Sequence, residues 1–318
     1  MDQIRWGVLG YARIARTCLI PAMREHEGSV LYALATRTEQ AAEEARRESG
    51  FEKVYSSYDA LLDDPLVDVV YIPLPNTLHK EWAIRAMKKG KNVLCEKPLA
   101  ITKKDVQEMV AVARECGVFF MEAFMYRFLD KFAKLRQLLD DKVIGDIRMI
   151  KSSWRFFLNR VNTIKEKPGL GGGCLYDVGC YPVSLVNFIT GKAPTEIRSL
   201  RNINEHGVDN SICAILKYDD GCMAQIDAGF DSISSKCTEI SGTKGTILIP
   251  ETFVDEERPI MVFLADGTVQ KICPEVQNRY LEEVKAVSAA VLSGRKELLS
   301  FDWSVLNAEV LERIMESD

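Results

Sequence analysis

Two polar side chains that could act together lie in the segment GGGCLYDVGCYP, residues 171–182, where three glycines precede Asp177 and Tyr181. Asp177 and Tyr181 are four residues apart, which is about one turn of an α-helix. If a helix begins directly after the glycines, the carboxylate and the phenol project from the same face. The alternative is a packing role for the tyrosine, because aromatic residues on amphipathic helices are more often core than catalytic.

A second segment of chemical interest follows the first apolar run, IRWGVLG, residues 4–10. It matches the pattern G-x-G-x-x-G, with alanine at the second and third glycine positions: Gly10, Tyr11, Ala12, Arg13, Ile14 and Ala15. Gly10 can make a sharp turn and Ala12 lets a pyrophosphate approach the backbone, while the following helix offers unpaired N–H groups and a positive dipole end. A turn with a packing role is the alternative. The position between a strand and a helix favours dinucleotide binding.

The residues that would select the dinucleotide are Thr36 and Arg37, about where an NAD site usually shows an acid for the ribose 2′-hydroxyl. An arginine can pair with a 2′-phosphate and stack on the adenine, and a threonine hydroxyl can hydrogen-bond the phosphate. The pair therefore favours NADP, with NAD as the alternative cofactor. Arg37 as a solvated residue ahead of a helix is the competing interpretation.

These residues need a scaffold, and the first part of the chain predicts alternating strands and helices. Apolar runs are typical of buried strands, and the segments between them are helical, several of them ending at a glycine. The predicted strands are 4–10, 30–36, 67–75, 91–98 and 117–123, and the predicted helices are 13–26, restarted near Pro21, 39–50, 77–90 and 103–117. This alternation predicts a doubly wound parallel sheet, in which ligands bind at the carboxyl ends of the strands.

The second part of the chain predicts antiparallel strands. Segments 211–230 and 259–273 each place apolar arms around an Asp-Gly pair, at Asp220-Gly221 and Asp266-Gly267, which is a strong hairpin signal. A length of 318 residues favours two domains. Because the alternation ends near residue 121, we expect domains at 1–121 and 122–318.

Composition excludes several classes of protein. A net charge of −5 argues against nucleic acid as a partner, because phosphate binding needs clustered Lys and Arg. No apolar run is long enough to span a membrane, and the amino terminus lacks a signal-peptide pattern. Nine cysteines without a C-x-x-C pair, with only three histidines, predict no metal site and a reducing, cytoplasmic environment.

Taken with the Gly10 turn, four stretches identify a family. They are YIPLPNTLH (71–79), NVLCEKPLA (92–100), MEAFMYRF (121–128) and GGGCLYDVGCYP (171–182). In this order they resemble the glucose–fructose oxidoreductase/inositol dehydrogenase family (Gfo/Idh/MocA) over essentially the whole chain. The sequence looks closest to the branch with dimeric dihydrodiol dehydrogenase, NADP-dependent xylose dehydrogenase and glucose–fructose oxidoreductase, because it carries Tyr181 where inositol dehydrogenases carry histidine.

The resemblance implies an α/β fold with an amino-terminal Rossmann domain, and a carboxyl-terminal α/β domain with a large, open, mostly antiparallel sheet. It also implies hydride transfer to a nicotinamide cofactor, which requires a positioned acid/base for the substrate hydroxyl. A free tyrosine has a pKa of about 10, and a nearby ammonium lowers it. Tyr181 is the candidate acid/base and Lys97 the candidate ammonium, while Asp177 accepts a hydrogen bond from the substrate or orients Lys97.

Alternatives remain for these roles. Lys97 itself could carry the proton while Tyr181 only binds substrate, or Glu96, Lys97 and Pro98 could form a charged surface turn. In relatives the bond between this lysine and proline is often cis.

The resemblance extends to further residues of the cofactor site. Pro73, Leu74 and Asn76 are expected to form a loop under the nicotinamide ribose, with Asn76 as a cofactor contact and Glu96 as a hydrogen-bond partner of that ribose. His79 is expected to have a structural role on the cofactor side, against the alternatives of helix capping or packing. Tyr126 and Arg127 are weaker candidates that would reach the cleft from the second domain. Trp154, Arg155 and Phe156 are candidates for one wall of the substrate pocket, with burial in a subunit interface as the alternative.

The sequence therefore predicts an NADP-dependent oxidoreductase that interconverts a secondary hydroxyl, or a hemiacetal carbon, and a carbonyl on a sugar, cyclitol or cyclic diol. Its expected partners are a small carbohydrate-like substrate and further copies of the chain, in a homodimer or homotetramer. Two alternatives belong to the same fold: a redox-assisted glycosidase that retains NAD, and a non-catalytic cofactor sensor. Thr36-Arg37 argues against the first, and the presence of Lys97, Asp177 and Tyr181 argues against the second.

Overall fold

The computed structural model describes residues 3–160 and 163–317. By their contacts, these residues form two compact units. The first unit contains the described residues up to Ala100 together with Lys104–Met125 and Asn278–Ser304, and the second contains most of the remainder. The predicted division between residues 121 and 122 stays a prediction, and the contacts additionally group a late segment, 278–304, with the first unit.

The first unit is built on a six-stranded sheet in which every neighbouring pair of strands is parallel. The strand order is β3-β2-β1-β4-β5-β6. The strands are β1 (Ile4–Leu9), β2 (Ser29–Ala35), β3 (Lys53–Tyr55), β4 (Val69–Ile72), β5 (Asn92–Glu96) and β6 (Phe120–Ala123). The chain order reverses between β1 and β4, so a switch point lies at the carboxyl end of β1.

The helices of the chain alternate with these strands and then recur in the second half. They are α1 (Ile20–Glu25), α2 (Glu39–Glu48), α3 (Tyr58–Leu62), α4 (His79–Lys88), α5 (Lys103–Cys116), α6 (Asp130–Asp140), α7 (Cys180–Thr190), α8 (Arg279–Leu292) and α9 (Phe301–Glu316). The predicted restart near Pro21 is observed, since a π-helical turn at Ala15–Leu19 leads into α1. The sequence did not predict β3 or the helices α3, α6, α8 and α9. Helix α8 packs against α1 in the first unit.

The second unit is built on an eight-stranded sheet in the order β14-β13-β12-β11-β7-β10-β9-β8. All neighbouring strands are antiparallel except β7 and β10. The strands are β7 (Ile147–Arg155), β8 (Glu196–Ile203), β9 (Asp209–Lys217), β10 (Met223–Gly229), β11 (Thr238–Gly242), β12 (Gly245–Ile249), β13 (Ile260–Leu264) and β14 (Val269–Ile272). Both predicted Asp-Gly hairpins form, as β9–β10 and β13–β14.

One face of this second sheet is covered by α7, a helix that is buried on nearly every side. The strands alternate between buried and exposed side chains, as expected for a sheet with one covered face. The fold prediction of a Rossmann sheet followed by a mostly antiparallel sheet is confirmed. In the described part of the chain, no helix is both long and apolar enough to cross a membrane.

A buried carboxylate stabilises the first unit next to the amino ends of β4 and β5. Asp64 accepts hydrogen bonds from the Tyr55 hydroxyl at 2.7 Å, the Tyr32 hydroxyl at 3.1 Å and Lys53 Nζ at 2.8 Å. Burial alone would raise the pKa of Asp64, but hydrogen bonds from Lys53, the Leu66 N–H and the two tyrosines outweigh burial and lower the pKa well below its usual value. The folded state therefore favours the ionised carboxylate.

The lowered pKa of Asp64 predicts an acid-sensitive contribution to stability. It is fully present above the unfolded-state pKa of about 3.9 and is lost as the pH falls toward the lower folded-state pKa. Asp64→Asn should lower the free energy of unfolding at pH 7 by about 1–3 kcal/mol and weaken its pH dependence below about pH 5. Urea unfolding from pH 3 to pH 7 tests this.

The adjacent Asp63 provides the control, because it forms an ion pair with Lys89 in which both side chains are exposed to solvent. Asp63→Asn should change the free energy of unfolding by no more than about 1 kcal/mol. Equal effects of the two substitutions at pH 7 would contradict the role given to Asp64.

Candidate functional site

The turn after β1 has the geometry that the glycine pattern predicted. Gly10 adopts φ +97°, and a Cβ at this position would lie 3.1 Å from Leu74 Cδ2. The Gly10 N–H donates to the Ala35 carbonyl at 2.8 Å, which ties the turn to the end of β2. The positive φ therefore favours glycine here, and any larger residue would also have to displace the Leu74 side chain slightly.

A short connection follows this turn and leads into the first helix. Tyr11, Ala12 and Ile14 are half-buried and Arg13 is exposed. The Arg16 N–H donates to the Ala12 carbonyl at 3.0 Å, so helical hydrogen bonding begins within this connection. A helix amino terminus at the carboxyl edge of a parallel sheet fits the pyrophosphate of a dinucleotide.

Thr36 and Arg37 lie just beyond β2, at the same edge of the sheet. Burial raises the pKa of Tyr58, and the nearby positive charge of Arg37 acts in the opposite direction. The Tyr58 hydroxyl lies 3.4 Å from where a Cβ on Gly10 would be, so Arg37 and the Gly10 turn share this neighbour. Arg37 is exposed, whereas Thr36 is buried and donates its hydroxyl to the Thr38 carbonyl at 2.9 Å.

His79 connects two of the loops that the sequence assigned to the cofactor. Its imidazole is fully buried, with Nε2 2.7 Å from the Leu74 carbonyl and Nδ1 2.8 Å from the Pro98 carbonyl. Burial lowers the pKa of His79, and the two carbonyl groups oppose this effect. His79 is the first residue of α4, while Asn76 begins the short 3-10 turn before it and Pro73 is buried at the end of β4. The histidine thus contacts the loops after both β4 and β5.

Glu96 and Lys97 lie at the carboxyl end of β5, where the sequence placed them. The Glu96 carboxylate accepts hydrogen bonds from the Tyr71 hydroxyl at 2.6 Å and from the Lys97 N–H at 3.3 Å. The bond between Lys97 and Pro98 is cis. Both Glu96 and Lys97 are half-buried, so their charged groups lie at the sheet edge rather than in the core.

Sequence reasoning missed a second carboxyl group near Glu96. Glu283 on α8 is buried, and burial together with the negative charge of Glu96 raises its pKa well above the usual value. Glu283 Oε1 has no hydrogen-bond partner within residues 3–160 and 163–317. An acid on the apolar stripe of α8, beside Val284 and Val287, was the available signal.

The three glycines at 171–173 are explained by two close approaches within the second unit. A Cβ at Gly172 would lie 2.6 Å from the Lys165 carbonyl oxygen, and the Gly173 N–H donates to that same oxygen at 2.8 Å. Gly173 adopts φ +114°, and a Cβ there would overlap the carboxylate of Asp209. The absence of side chains at Gly172 and Gly173 therefore allows the backbone there to lie close to Lys165 and Asp209.

Asp209, the first residue of β9, anchors the helix that begins after these glycines. Its Oδ2 accepts the Leu175 N–H at 2.7 Å and the Cys174 thiol at 3.0 Å. Burial raises the pKa of Asp209, and these two hydrogen bonds oppose that effect. Burial and the adjacent carboxylate also raise the pKa of the Cys174 thiol, so this cysteine is a poor nucleophile.

The helix itself carries Asp177 and Tyr181, as the sequence predicted. It begins with a π-helical turn, Leu175–Gly179, and continues as α7. Asp177 forms an ion pair with Lys165, a lysine that sequence reasoning did not consider. Such π-helical turns are rare in proteins overall, and many of those that do occur lie at functional sites.

Tyr181 lies in an aromatic group inside the second unit and is only 5% exposed. The ring centroids of Trp154, Phe253 and Tyr126 lie 4.2, 5.7 and 6.0 Å from the Tyr181 ring. The neighbouring Tyr176 is half-buried, and burial raises its pKa to about 12. Aromatic packing therefore fixes the ring of the candidate acid/base.

The remaining substrate-site candidates are placed by local contacts. Arg155 pairs with Asp227 at 3.3 Å and with Asp231 at 2.9 Å. The guanidinium of Arg127 lies over the Phe188 ring, 3.9 Å from its centroid. Phe156 packs edge-on against Phe230, with 5.3 Å between ring centroids. Of these candidates, Trp154 contacts Tyr181 directly, and Phe156 lies next to Lys165.

Comparison with known proteins agrees with these observations. Residues 4–124 match the oxidoreductase family with an NAD-binding Rossmann fold, and residues 132–248 match the GFO/IDH/MocA carboxyl-terminal domain. The D-xylose 1-dehydrogenase (NADP(+)) 2 of Haloferax volcanii is 32% identical over 317 residues, covering 98% of this chain and 96% of the relative.

Two further relatives extend the comparison. The trans-1,2-dihydrobenzene-1,2-diol dehydrogenase of Mus musculus is 32% identical, and the matched region covers 97% of this chain and 95% of the relative. A solved structure of KijD10, a 3-ketoreductase from Actinomadura kijaniata in complex with NADP and TDP-benzene, superposes with a TM-score of 0.90 at 28% identity, covering 99% and 98% of the two chains. The chain therefore belongs to the Gfo/Idh/MocA family of oxidoreductases.

Proposed function

We propose that the protein is an NADP-dependent oxidoreductase that interconverts a secondary hydroxyl, or a hemiacetal carbon, and a carbonyl on a sugar, cyclitol or cyclic diol. The observation that carries this proposal is the position of Lys97 at the same carboxyl edge of the sheet as the Gly10 turn and Arg37. Relatives named for xylose and for a cyclic diol support the substrate class.

The cofactor proposal rests on the residues at the carboxyl edge of the first sheet. The Gly10 turn and the helix after it fit the pyrophosphate, and the exposed Arg37 fits the 2′-phosphate of NADP. Asn76 and Glu96, at the ends of β4 and β5, would hold the nicotinamide ribose. Binding of NADP by KijD10 and the NADP(+) in the name of the Haloferax enzyme support this cofactor.

The proposed chemistry divides between the cofactor and the protein. Bound at this edge of the sheet, NADP(+) would supply the hydride acceptor for the substrate carbon. Tyr181 takes the hydroxyl proton, and the ammonium of Lys97 stabilises the phenolate and so brings its pKa nearer to neutral. Asp177 holds the substrate by accepting a hydrogen bond from a hydroxyl group. Lys97 as the proton carrier, with Tyr181 binding substrate, is the alternative assignment within the same reaction.

The second unit also supports a proposal about assembly. The uncovered face of its sheet exposes Leu200, Ile215, Met223 and Phe263, and Leu200 is 81% exposed. A broad apolar sheet face favours burial against another surface. Lys151 and Glu239 lie on the same face, so two copies could pair opposite charges around the apolar residues. We therefore propose that this face forms the interface of a homodimer, alone or within a homotetramer.

We also propose a cytoplasmic location, because nine cysteines without a C-x-x-C pair are typical of a protein from a reducing compartment.

The roles of Tyr181 and Lys97 predict large losses of activity. Tyr181→Phe and Lys97→Ala should each lower kcat by roughly 100-fold to 10,000-fold, because each removes a group from proton transfer. The measurement is reduced-nicotinamide absorbance with a panel of aldoses, inositols and cyclic diols, with NADP or NAD.

Tyr176→Phe is the matched control, since Tyr176 is on the same helix and has no proposed catalytic role, and it should retain activity. Wild-type rates in both Tyr181→Phe and Lys97→Ala would refute the assignment. Turnover of an aryl glycoside with retained NAD would instead favour the glycosidase.

The role of Arg37 predicts a selective loss of affinity for NADP. Arg37→Ala should raise the KM for NADP by roughly 10-fold to 100-fold, because a charge-assisted hydrogen bond to the 2′-phosphate is lost. The KM for NAD should change little. Arg47→Ala, on an exposed position of α2, is the control. An equal change in both KM values would contradict the 2′-phosphate contact.

The proposed interface predicts a change in oligomeric state. Leu200→Glu combined with Ile215→Glu should dissociate the assembly, because two charges would be buried in an apolar contact. Sedimentation velocity should show a species of twice the chain mass, or a larger even multiple, for the wild type, and smaller species for the variant. Leu292→Glu, at an exposed position on α8, should leave the assembly unchanged. A wild type that sediments as a monomer would contradict the proposed interface.

A further inference from the structure

We propose that Lys165, together with Asp177, binds substrate hydroxyl groups away from the reacting carbon and so makes the site selective for polyhydroxylated substrates. This inference rests on the proposed function, because it assigns substrate recognition to the segment that carries Tyr181. It adds a residue that lies outside the motifs of the sequence and that reaches Asp177 through the fold of the loop before the glycines.

The backbone of Lys165 is held firmly against the glycine run. Lys165 lies in a short 3-10 turn, Ile164–Glu166, and its carbonyl accepts the Gly173 N–H at 2.8 Å. The same carbonyl lies 2.6 Å from the position of a Cβ on Gly172, so no other residue type fits there without movement. This anchoring directs the Lys165 side chain to Asp177, twelve residues further along the chain.

The pair is accessible without being fully solvated. The side chains of Lys165 and Asp177 are 23% and 21% exposed, so both charges are largely fixed and still open to a ligand. A lysine ammonium carries three donor hydrogens, and Lys165 Nζ uses one of them on Asp177 among residues 3–160 and 163–317, which leaves donors for ligand hydroxyls. An ordinary surface ion pair is more exposed and contributes little.

Two aromatic rings flank the ammonium. Lys165 Nζ lies 5.0 Å from the centroid of Phe156 and 5.7 Å from that of Phe230. Attraction between the ammonium and these rings helps to hold Lys165 in place, so that the charged pair can hydrogen-bond the hydroxyl groups of a sugar. A site built to hydrogen-bond a hydroxyl discriminates strongly against an analogue that lacks it, because the polar groups of the site lose their partner.

The test compares D-xylose with its 2-, 3- and 4-deoxy analogues. Binding to NADPH-loaded protein is measured by calorimetry, since the reduced cofactor prevents oxidation of the sugar. Lys165→Met should weaken D-xylose binding by roughly 10-fold to 100-fold. It should have little further effect on the deoxy analogue that lacks the contacted hydroxyl, because the same interaction is already missing. Lys165→Arg, which keeps the charge, should restore part of the affinity.

Kinetics separate this role from catalysis. Lys165→Met should raise the KM for D-xylose with kcat changed by no more than about threefold, as expected when binding is lost equally in ground and transition states. Lys167→Met, in the same loop and exposed, should match the wild type and shows that the loop tolerates substitution. Circular dichroism of each variant confirms folding.

Three results would overturn the inference: unchanged D-xylose affinity in folded Lys165→Met, an equal loss for D-xylose and all three deoxy analogues, or no binding of any of these sugars to the wild type. Failure of the proposed function looks different. In that case the wild type binds D-xylose with the predicted dependence on Lys165, yet no substrate of the panel is oxidised or reduced.

Discussion

The position of the candidate acid/base depends on one buried carboxylate, that of Asp209. A buried carboxylate is costly unless it is hydrogen-bonded, and here the Leu175 N–H and the Cys174 thiol supply the donors. These bonds form only because Gly173 has no side chain to overlap the carboxylate. They hold the first turn of the helix to β9, so rotation of the helix is restricted. Because the helix is fixed at its start, it is Tyr181, and not an adjacent residue of the helix, that packs among the aromatic rings.

The first unit uses a comparable device. His79 lies between the carbonyl groups of Leu74 and Pro98, and it thereby links the loops after β4 and β5. Close to these carbonyl groups in the sequence lie Asn76, which is proposed to contact the nicotinamide ribose, and Lys97. In each unit, a buried polar side chain hydrogen-bonds at least one backbone group of a segment next to the candidate chemistry. Positioning of this kind, at a distance from the reacting atoms, is what a rigid site requires.

The sequence predicted most of the scaffold because buried parallel strands are apolar runs and because Gly10 and the Asp-Gly hairpins have unambiguous turn chemistry. It missed β3, which has three residues and begins with Lys53, since no apolar run marks so short an edge strand. Local patterns also cannot reveal contacts between distant segments. Asp209 lies 34 residues beyond Leu175, and Lys165 lies 12 residues before Asp177, so both contacts follow from tertiary structure alone. The grouping of α8 with the first unit has the same cause.

The π-helical turn at Leu175–Gly179 explains how Asp177 and Tyr181 come to have different surroundings. In an α-helix, side chains four residues apart point in nearly the same direction. A π-helix closes its hydrogen bonds over i to i+5, so its turn is wider and four residues cover less than a full rotation. Asp177 lies within the wide turn and contacts Lys165, whereas Tyr181 lies beyond it and contacts Trp154. This geometry would separate the substrate binding proposed for Asp177 from the proton transfer proposed for Tyr181, with both residues on one helix.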